Sequence, residues 1–341
     1  MFGIMLNILM LRFVQTLGMR NKDEVKRWSS TSKPSLGGIT FYLCFLLSFL
    51  AYSFITPEAH LFLNIKVLGL LFASTVGFML GLFDDAYNTK PLVKLISQIL
   101  AAAILIFSGI YIKIFDIEIL NYIVTVLWVV GIMNSINMLD NMDAVSTIVA
   151  ISVFLTILLK IIYIGDWNNI DIVILLGILA ALIGFLFFNW NPSKMFMGDT
   201  GSQFIGVLLA AYGISYFINA DVASVNNSYS EWKNIISLSL AFLLPFTDTI
   251  TVFYKRIAAG KSPFVGGKDH TTHHLSYVGL KDRQIALLFA FISLISIAMN
   301  FYLMNFVTKL SFPLVLVILL VIFVVFITFF VIANKNKNKS V

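Results

Sequence analysis

Apolar residues run along this chain in blocks of about twenty, the length a helix needs to cross the hydrocarbon of a bilayer. The blocks fall near residues 2–19, 36–56, 61–83, 92–112, 119–139, 144–164, 170–188, 202–220, 233–254, 285–305 and 311–333, with short polar segments between them. This pattern predicts an all-α polytopic membrane protein of eleven spans. Arg12 interrupts the first block; if that block is only an anchor, the count is ten.

Composition agrees. Of 341 residues, 59% are hydrophobic and 12% charged, where a soluble domain carries about 25% charged residues. With a mean hydropathy of +0.94, too little polar surface remains to coat a globule in water, so the bulk solvent is lipid. The single cysteine, Cys44, lies in an apolar run and has no intrachain partner, which excludes disulfides. The stretch from Phe2 to Leu11 has no basic residue ahead of it and no small-residue cleavage site; it reads as a first helix or anchor rather than a removed signal. There is no internal repeat and no soluble domain, so residues 1–341 are expected to form one membrane domain. The basic tail 334–341 reads as a solvated stop resting on anionic headgroups.

Charge sets the orientation. Loops that alternate along eleven spans fall into two sets. One holds seventeen basic residues, among them Arg20, Lys22, Lys26, Arg27, Lys90, Lys94, Lys194, Lys268 and Lys337; the other holds five, Lys66, Lys113, Lys160, Lys233 and Lys309. By the positive-inside rule the first set is cytoplasmic, which puts the N-terminus outside and the C-terminus inside. The acids were not used in that assignment, yet their compact clusters fall on the cytoplasmic side at helix ends. Acids packed against apolar helices are costly and therefore informative.

Four segments carry candidate chemistry. Asp84 and Asp85 follow the third block, with Lys90 and Lys94 one turn apart beyond them. Adjacent carboxylates repel, and a divalent cation or a proton relieves them; the bland alternative is helix-end capping. Asn137, Asp140 and Asp143 close the fifth block at i, i+3, i+6. If the helix continues they share one face, offering hard oxygen donors to Mg²⁺ or a hydrogen-bonding surface to a nucleotide; otherwise they are a polar turn. Next comes Asn189-Trp-Asn-Pro-Ser-Lys-Met-Phe-Met-Gly-Asp199-Thr-Gly-Ser202, which opens the eighth block. A helix N-terminus presents free N–H groups suited to phosphate, and Asp199 beside it could hold a metal; alternatively Asp199 or Ser202 is an N-cap. The fourth segment is the loop 255–284, with Lys268, His270, His273 and His274. Its HxxHH spacing could suggest zinc, but soft ligands are absent, and histidines around a pyrophosphate are the more economical reading. Asp248, deep in a block after Pro245, could cap or pair with Lys255 or Arg256.

In this order the motifs FDD, NxxxLDNxD, NWNPSKMFMGDTGS and the Gly/Lys/His loop resemble the polyprenyl-phosphate N-acetylhexosamine-1-phosphate transferases of glycosyl transferase family 4. That family includes undecaprenyl-phosphate GlcNAc-1-phosphate transferases and the phospho-MurNAc-pentapeptide transferase of peptidoglycan synthesis. The resemblance runs from about Lys33 to His274, and the FMGDTGS segment is its most specific part. It implies ten or eleven helices around a cytoplasmic cleft, in the plasma membrane. Asp84, Asp85 and Lys94 would match catalytic positions, and Asp199 the Mg²⁺ ligand, with Mn²⁺ as the alternative ion. Asn137, Asp140, Asp143, Asn189, Lys268, His270 and His273 would contact substrate. The implied partners are a UDP-N-acetylhexosamine, undecaprenyl phosphate and membrane lipids; nucleic acid is not among them, and a homodimer stays open. The implied product is the first lipid-linked intermediate of a cell-envelope polysaccharide, with UMP released. Two departures stand out. The family's Asp-Gly-hydrophobic-Asp reads Asp140-Asn141-Met142-Asp143 here, and the histidine loop lacks the HHH run of the pentapeptide transferase. An aromatic prenyltransferase would leave MGDTGS unexplained, and a transporter would carry its acids near the midplane.

Overall fold

The computed structural model describes residues 2–17, 33–56, 64–165, 169–220, 229–262, 267–307 and 310–335. Arg20, Lys22, Lys26, Arg27, His60, Lys309, Lys337 and most of the tail 334–341 lie outside the described residues. Every regular element among the described residues is a helix. In chain order these are α1 (Phe2–Leu17), α2 (Gly37–Ile55), α3 (Ile65–Tyr87), α4 (Pro91–Phe107), α5 (Glu118–Leu139), α6 (Val145–Ile164) and α7 (Ile170–Asn189). Then follow α8 (Gly198–Gly213), α9 (Tyr229–Ala241), α10 (Leu243–Ala258), α11 (Thr271–Tyr277), α12 (Asp282–Phe306) and α13 (Phe312–Lys335). A π-helical turn, Ile214–Ile218, continues α8.

Eight of these helices are long and apolar enough to cross a membrane, or nine when α9 and α10 count as one broken span. The protein is therefore a multi-pass membrane protein. α1 and α4 are shorter apolar helices. Each of the eleven apolar blocks contains a helix, but the ninth is bent by 73° between α9 and α10. Pro245 explains the break: it cannot donate to the carbonyl of Ala241, and its ring crowds that carbonyl. The neighbouring carbonyl of Leu240 takes a hydrogen bond from Ser296 Oγ of α12 instead, as irregular backbone inside a membrane protein requires.

α8 is the central helix: 83% of its span is buried, against 11% for the far more apolar α13. Its small residues allow that position, because close-packed helices in lipid depend on short side chains at their contacts. Gly77 and Gly81 of α3 face α8, and Gly38 at the start of α2 lies against Gly201. A strand-like stretch before α2 clamps the approach to α8: Phe196 N donates to Pro34 O, Gly37 N to Phe196 O and Gly38 N to Met197 O, at 3.0–3.2 Å.

Three boundaries differ from expectation in ways that shape the site. α3 continues to Tyr87, so Asp84 and Asp85 lie within its last turns rather than after it. α8 starts at Gly198 rather than 202. The loop 255–284 contains a further helix, α11, which holds His273 and His274.

Candidate active site

The adjacent carboxylates of α3 point in different directions, as consecutive residues on a helix must at about 100° apart. Asp84 is 7% exposed. Its Oδ1 accepts hydrogen bonds from Thr89 N (2.8 Å) and Thr89 Oγ1 (2.6 Å), and its Oδ2 pairs with Lys94 Nζ. Asn88, left-handed at φ 49°, turns the chain so that Thr89 reaches back.

Asp85 is committed to α8. Its Oδ1 accepts from Asp199 N (3.0 Å), and its Oδ2 from Thr200 N (2.9 Å) and Thr200 Oγ1 (2.6 Å). It thus caps α8 from another helix and offsets the positive end of its dipole. This corrects the expectation of an N-terminus open to phosphate: two of its N–H groups are already taken. Gly198 completes the junction. At φ +76°, with a Cβ there only 2.5 Å from Asp85 Oδ2, no other residue fits.

Asp199 itself turns toward Asp84. Its Oδ2 lies 3.2 Å from Lys94 Nζ and its Oδ1 accepts from Asn137 Nδ2 at 3.0 Å. Asn137 also donates to Ser202 Oγ at 2.9 Å. The ends of α3, α4, α5 and α8 therefore bring Asp84, Lys94, Asn137 and Asp199 into one cluster. One turn deeper the same three helices α4, α5 and α8 contribute Gln98, Asn134 and Gln203. Gln98 Nε2 donates to both Asn134 Oδ1 and Gln203 Oε1 at 3.1 Å, and Asn134 Nδ2 returns a bond to Gln98 Oε1 at 3.0 Å. This amide network, which sequence reasoning missed, holds the site helices in register. Its signal was present as polar residues three or four positions from each site residue inside apolar blocks.

Asp140, Asp143 and Asn189 are placed otherwise than expected. α5 stops at Leu139, so Asn137, Asp140 and Asp143 do not share a helical face. Asn141 Nδ2 donates to the end carbonyl of Met138 at 2.7 Å, and Ala144 is left-handed at φ 68°; both turn the chain away. Asp140 Oδ1 accepts from Ser146 Oγ. Asp143 clamps the loop before α8, accepting from Ser193 N, Ser193 Oγ and Asn191 Nδ2 at 2.7–3.1 Å. Asn189, 2% exposed, spends both polar atoms inside the protein: its Oδ1 accepts from Ala144 N and Thr147 Oγ1, and its Nδ2 donates to Met195 O. In this structure Asp143 and Asn189 build the loop that delivers Asp199. Lys33 assists by donating to Ser193 Oγ at 3.0 Å.

The histidine segment is packed inward. His270, His273 and His274 are 6%, 3% and 0% exposed, whereas Lys268 is exposed. Of the two roles expected of Asp248, it does not pair with Lys255 or Arg256 but caps the start of α11. Its Oδ2 lies 3.0 Å from His270 Nδ1, and its Oδ1 accepts from Thr271 N and Thr271 Oγ1, both at 2.7 Å. Lys255 lies 2.7 Å from His274 Nε2 and donates to Ala333 O, and Arg256 grips Asp269 with two bonds of 2.7–2.8 Å. Burial opposes ionisation of Asp269, yet Arg256 holds its carboxyl below the usual range. Burial, reinforced by the charge of His270, lowers His273 to about 3; burial, reinforced by Lys255, lowers His274 to about 4. Both imidazoles are neutral at pH 7, so His274 Nε2 accepts from the Lys255 ammonium. Thr272 Oγ1 donates to Asn141 Oδ1 at 2.6 Å. The two departures from the family pattern thus meet: the asparagine in place of glycine holds the unusual histidine segment against the α5–α6 turn.

Two carboxylates thus converge on one cation, with an amide beside them. Comparison with known proteins points to transferases. Residues 67–217 match glycosyl transferase family 4. The resemblance read from the motifs is borne out, and the matched stretch holds Asp84, Lys94, Asn137 and Asp199. Among relatives, the chain is 25% identical over 293 residues to the "probable undecaprenyl-phosphate N-acetylglucosaminyl 1-phosphate transferase" of Bacillus subtilis, covering 83% of this chain and 77% of that protein. It is 29% identical to the decaprenyl-phosphate N-acetylglucosaminephosphotransferase of Mycobacterium leprae, over 76% of this chain and 70% of that one. It is 26% identical to the phospho-N-acetylmuramoyl-pentapeptide-transferase of Staphylococcus carnosus, over 84% and 89%. By name, two of these relatives are polyprenyl-phosphate N-acetylglucosamine-phosphate transferases and the third is a phospho-N-acetylmuramoyl-pentapeptide-transferase.

Proposed function

We propose that this protein transfers an N-acetylhexosamine 1-phosphate from a UDP-sugar to undecaprenyl phosphate, with Mg²⁺ or Mn²⁺, at the cytoplasmic face of the plasma membrane. The observation that carries this reading is the Asp84–Lys94–Asp199–Asn137 cluster, assembled from four helix ends. The excess of basic residues in one set of loops supports eleven spans with the N-terminus outside and this cluster facing the cytoplasm, where nucleotide sugars are made. The chain would act as one membrane domain, its basic tail resting on anionic headgroups.

In the reaction an oxygen of the lipid phosphate attacks the β-phosphorus of the UDP-sugar. The bond from that phosphorus to the bridging oxygen breaks, and UMP leaves with the electron pair. Two anions must meet, so positioning and charge neutralisation supply most of the acceleration. The residues fit a divalent ion: Mg²⁺ is bound by one or two carboxylates together with substrate phosphates, and Asp84 and Asp199 offer two converging oxygens. Such an ion, when bound, would offset the charge of the pyrophosphate. Lys94 would hold a phosphate oxygen, and Asn137 keeps Asp199 aimed. Of the adjacent pair, Asp84 is the one that faces the reacting phosphates, since Asp85 is spent on α8. The histidine segment, distinct from the HHH run, supports a GlcNAc-type donor over the MurNAc-pentapeptide.

Purified protein in detergent should release UMP from UDP-GlcNAc only when undecaprenyl phosphate is present, and should stop on chelation. If no UDP-N-acetylhexosamine yields UMP under those conditions, the proposal fails.

A further inference from the structure

We infer that Lys94 is a built-in counter-cation holding the position between Asp84 and Asp199, and that a divalent metal enters by displacing it. The inference rests on the Mg²⁺ reading above and goes beyond it. Each carboxylate has one oxygen fixed by the scaffold and one on the ammonium. Asp84 Oδ1 is held by Thr89 N and Thr89 Oγ1, and its Oδ2 pairs with Lys94. Asp199 Oδ1 is held by Asn137, and its Oδ2 pairs with the same Lys94 Nζ at 3.2 Å. When the amine leaves, the fixed oxygens keep both carboxylates aimed at the position it held.

Charge decides which cation stays. Asp85 is offset by the positive end of the α8 dipole. Asp84, Asp199 and one ammonium then leave one net negative charge, and a divalent ion in place of the ammonium leaves none. Both cations together would leave a net positive charge, with two positive centres in contact. Mg²⁺ also approaches oxygen to about 2.0–2.1 Å, closer than the roughly 2.8 Å of an ammonium hydrogen bond, so the same oxygens favour it. Lys94 has somewhere to go: its side chain is 27% exposed, against 4% for Asp84, and its four-carbon stem is flexible. The exchange couples two events. The amine that should receive substrate phosphate is released only when the metal has arrived.

The test is Mn²⁺ binding to the full-length protein in detergent without substrate, read from the electron paramagnetic resonance of free Mn²⁺. Lys94→Met should bind Mn²⁺ about ten-fold more tightly than the unaltered protein, equivalent to about 1.4 kcal/mol. Lys94→Arg keeps a cation between the carboxylates and should stay near the unaltered affinity. Equal or weaker binding by Lys94→Met overturns the exchange, because the lysine would then lie beside the metal rather than in its place. A second measurement needs no variant: Mn²⁺ should speed modification of Lys94 by an amine-directed reagent, read by mass spectrometry. Unchanged or slower modification overturns the inference. Mg²⁺-dependent UMP release with an Mn²⁺ affinity that Lys94→Met leaves unmoved would retain the proposed function and remove the exchange alone. Absence of any Mn²⁺ binding without substrate would remove the exchange, while the proposed function falls only if no UDP-N-acetylhexosamine yields UMP.

Discussion

Gly81→Ala tests whether the close crossing of α3 and α8 sets the spacing of Asp84 and Asp199. A Cβ on Gly81 would collide with the carbonyl of Asp199 and with Thr200 Cα. Both are backbone atoms of the central helix, so no side-chain rotation relieves the clash. Restoring ordinary contact at about 3.5 Å requires the two helices to part by roughly 1 Å. Overpacking of this kind costs about 1–3 kcal/mol, which a large bundle should survive. A shift of about 1 Å between catalytic groups costs about 100-fold in rate. The expected variant is therefore folded, slightly less stable and about 100-fold slower. Gly131→Ala on α5 is the matched control, because nothing lies within 4 Å of a Cβ there and alanine is the better helix former. The assay is single-turnover UMP release beside a thermal melt in detergent. If Gly81→Ala turns over like the unaltered protein while Gly131→Ala does the same, the crossing does not set the site.

Other outcomes follow from the same geometry. Asp199→Asn should abolish transfer and weaken Mn²⁺ binding together while the melt hardly moves; near-normal turnover at unchanged Mg²⁺ would remove the metal assignment. Neutral His273 and His274, lowered to about 3 and about 4, bind fewer protons folded than unfolded. Their contribution to stability is fully present above the free-histidine value of about 6.5 and is lost progressively as pH falls from there toward the folded values. Protease cutting within 255–284 should therefore rise as pH drops from 7.5 to 5.5, and a flat profile would contradict the burial of these rings. Cysteines introduced at Asn88 and Lys268 should react with an impermeant reagent only from the cytoplasmic side, against a background in which Cys44 is buried. Labelling of either from outside intact cells would reverse the orientation.

The sequence by itself determined the solvent, the helices and the order of the motifs. Hydrophobicity is a property of each residue and its near neighbours, so apolar blocks located the helices, and the acids at their ends marked the site. Pro245 likewise carried the break of the ninth block, because its missing N–H is a local fact. Only the tertiary structure decided where side chains point. Asp84 and Asp85 are chemically identical neighbours; one meets Lys94 and the other caps α8, because a helix separates their directions and α8 docks on one of them. Asn137, Asp140 and Asp143 have the spacing of one face, yet Asn141 and Ala144 end the helix between them. Asn189 and the histidines look like ligands in a list of polar residues, but Asn189 spends its hydrogen bonds within the protein and the three rings are packed inward. The amide network of Gln98, Asn134 and Gln203 joins residues 36 and 105 positions apart, a pairing that no local pattern encodes. Spacing along one helix is written in the chain, whereas the rotation of one helix against another is settled only by the packing of all of them.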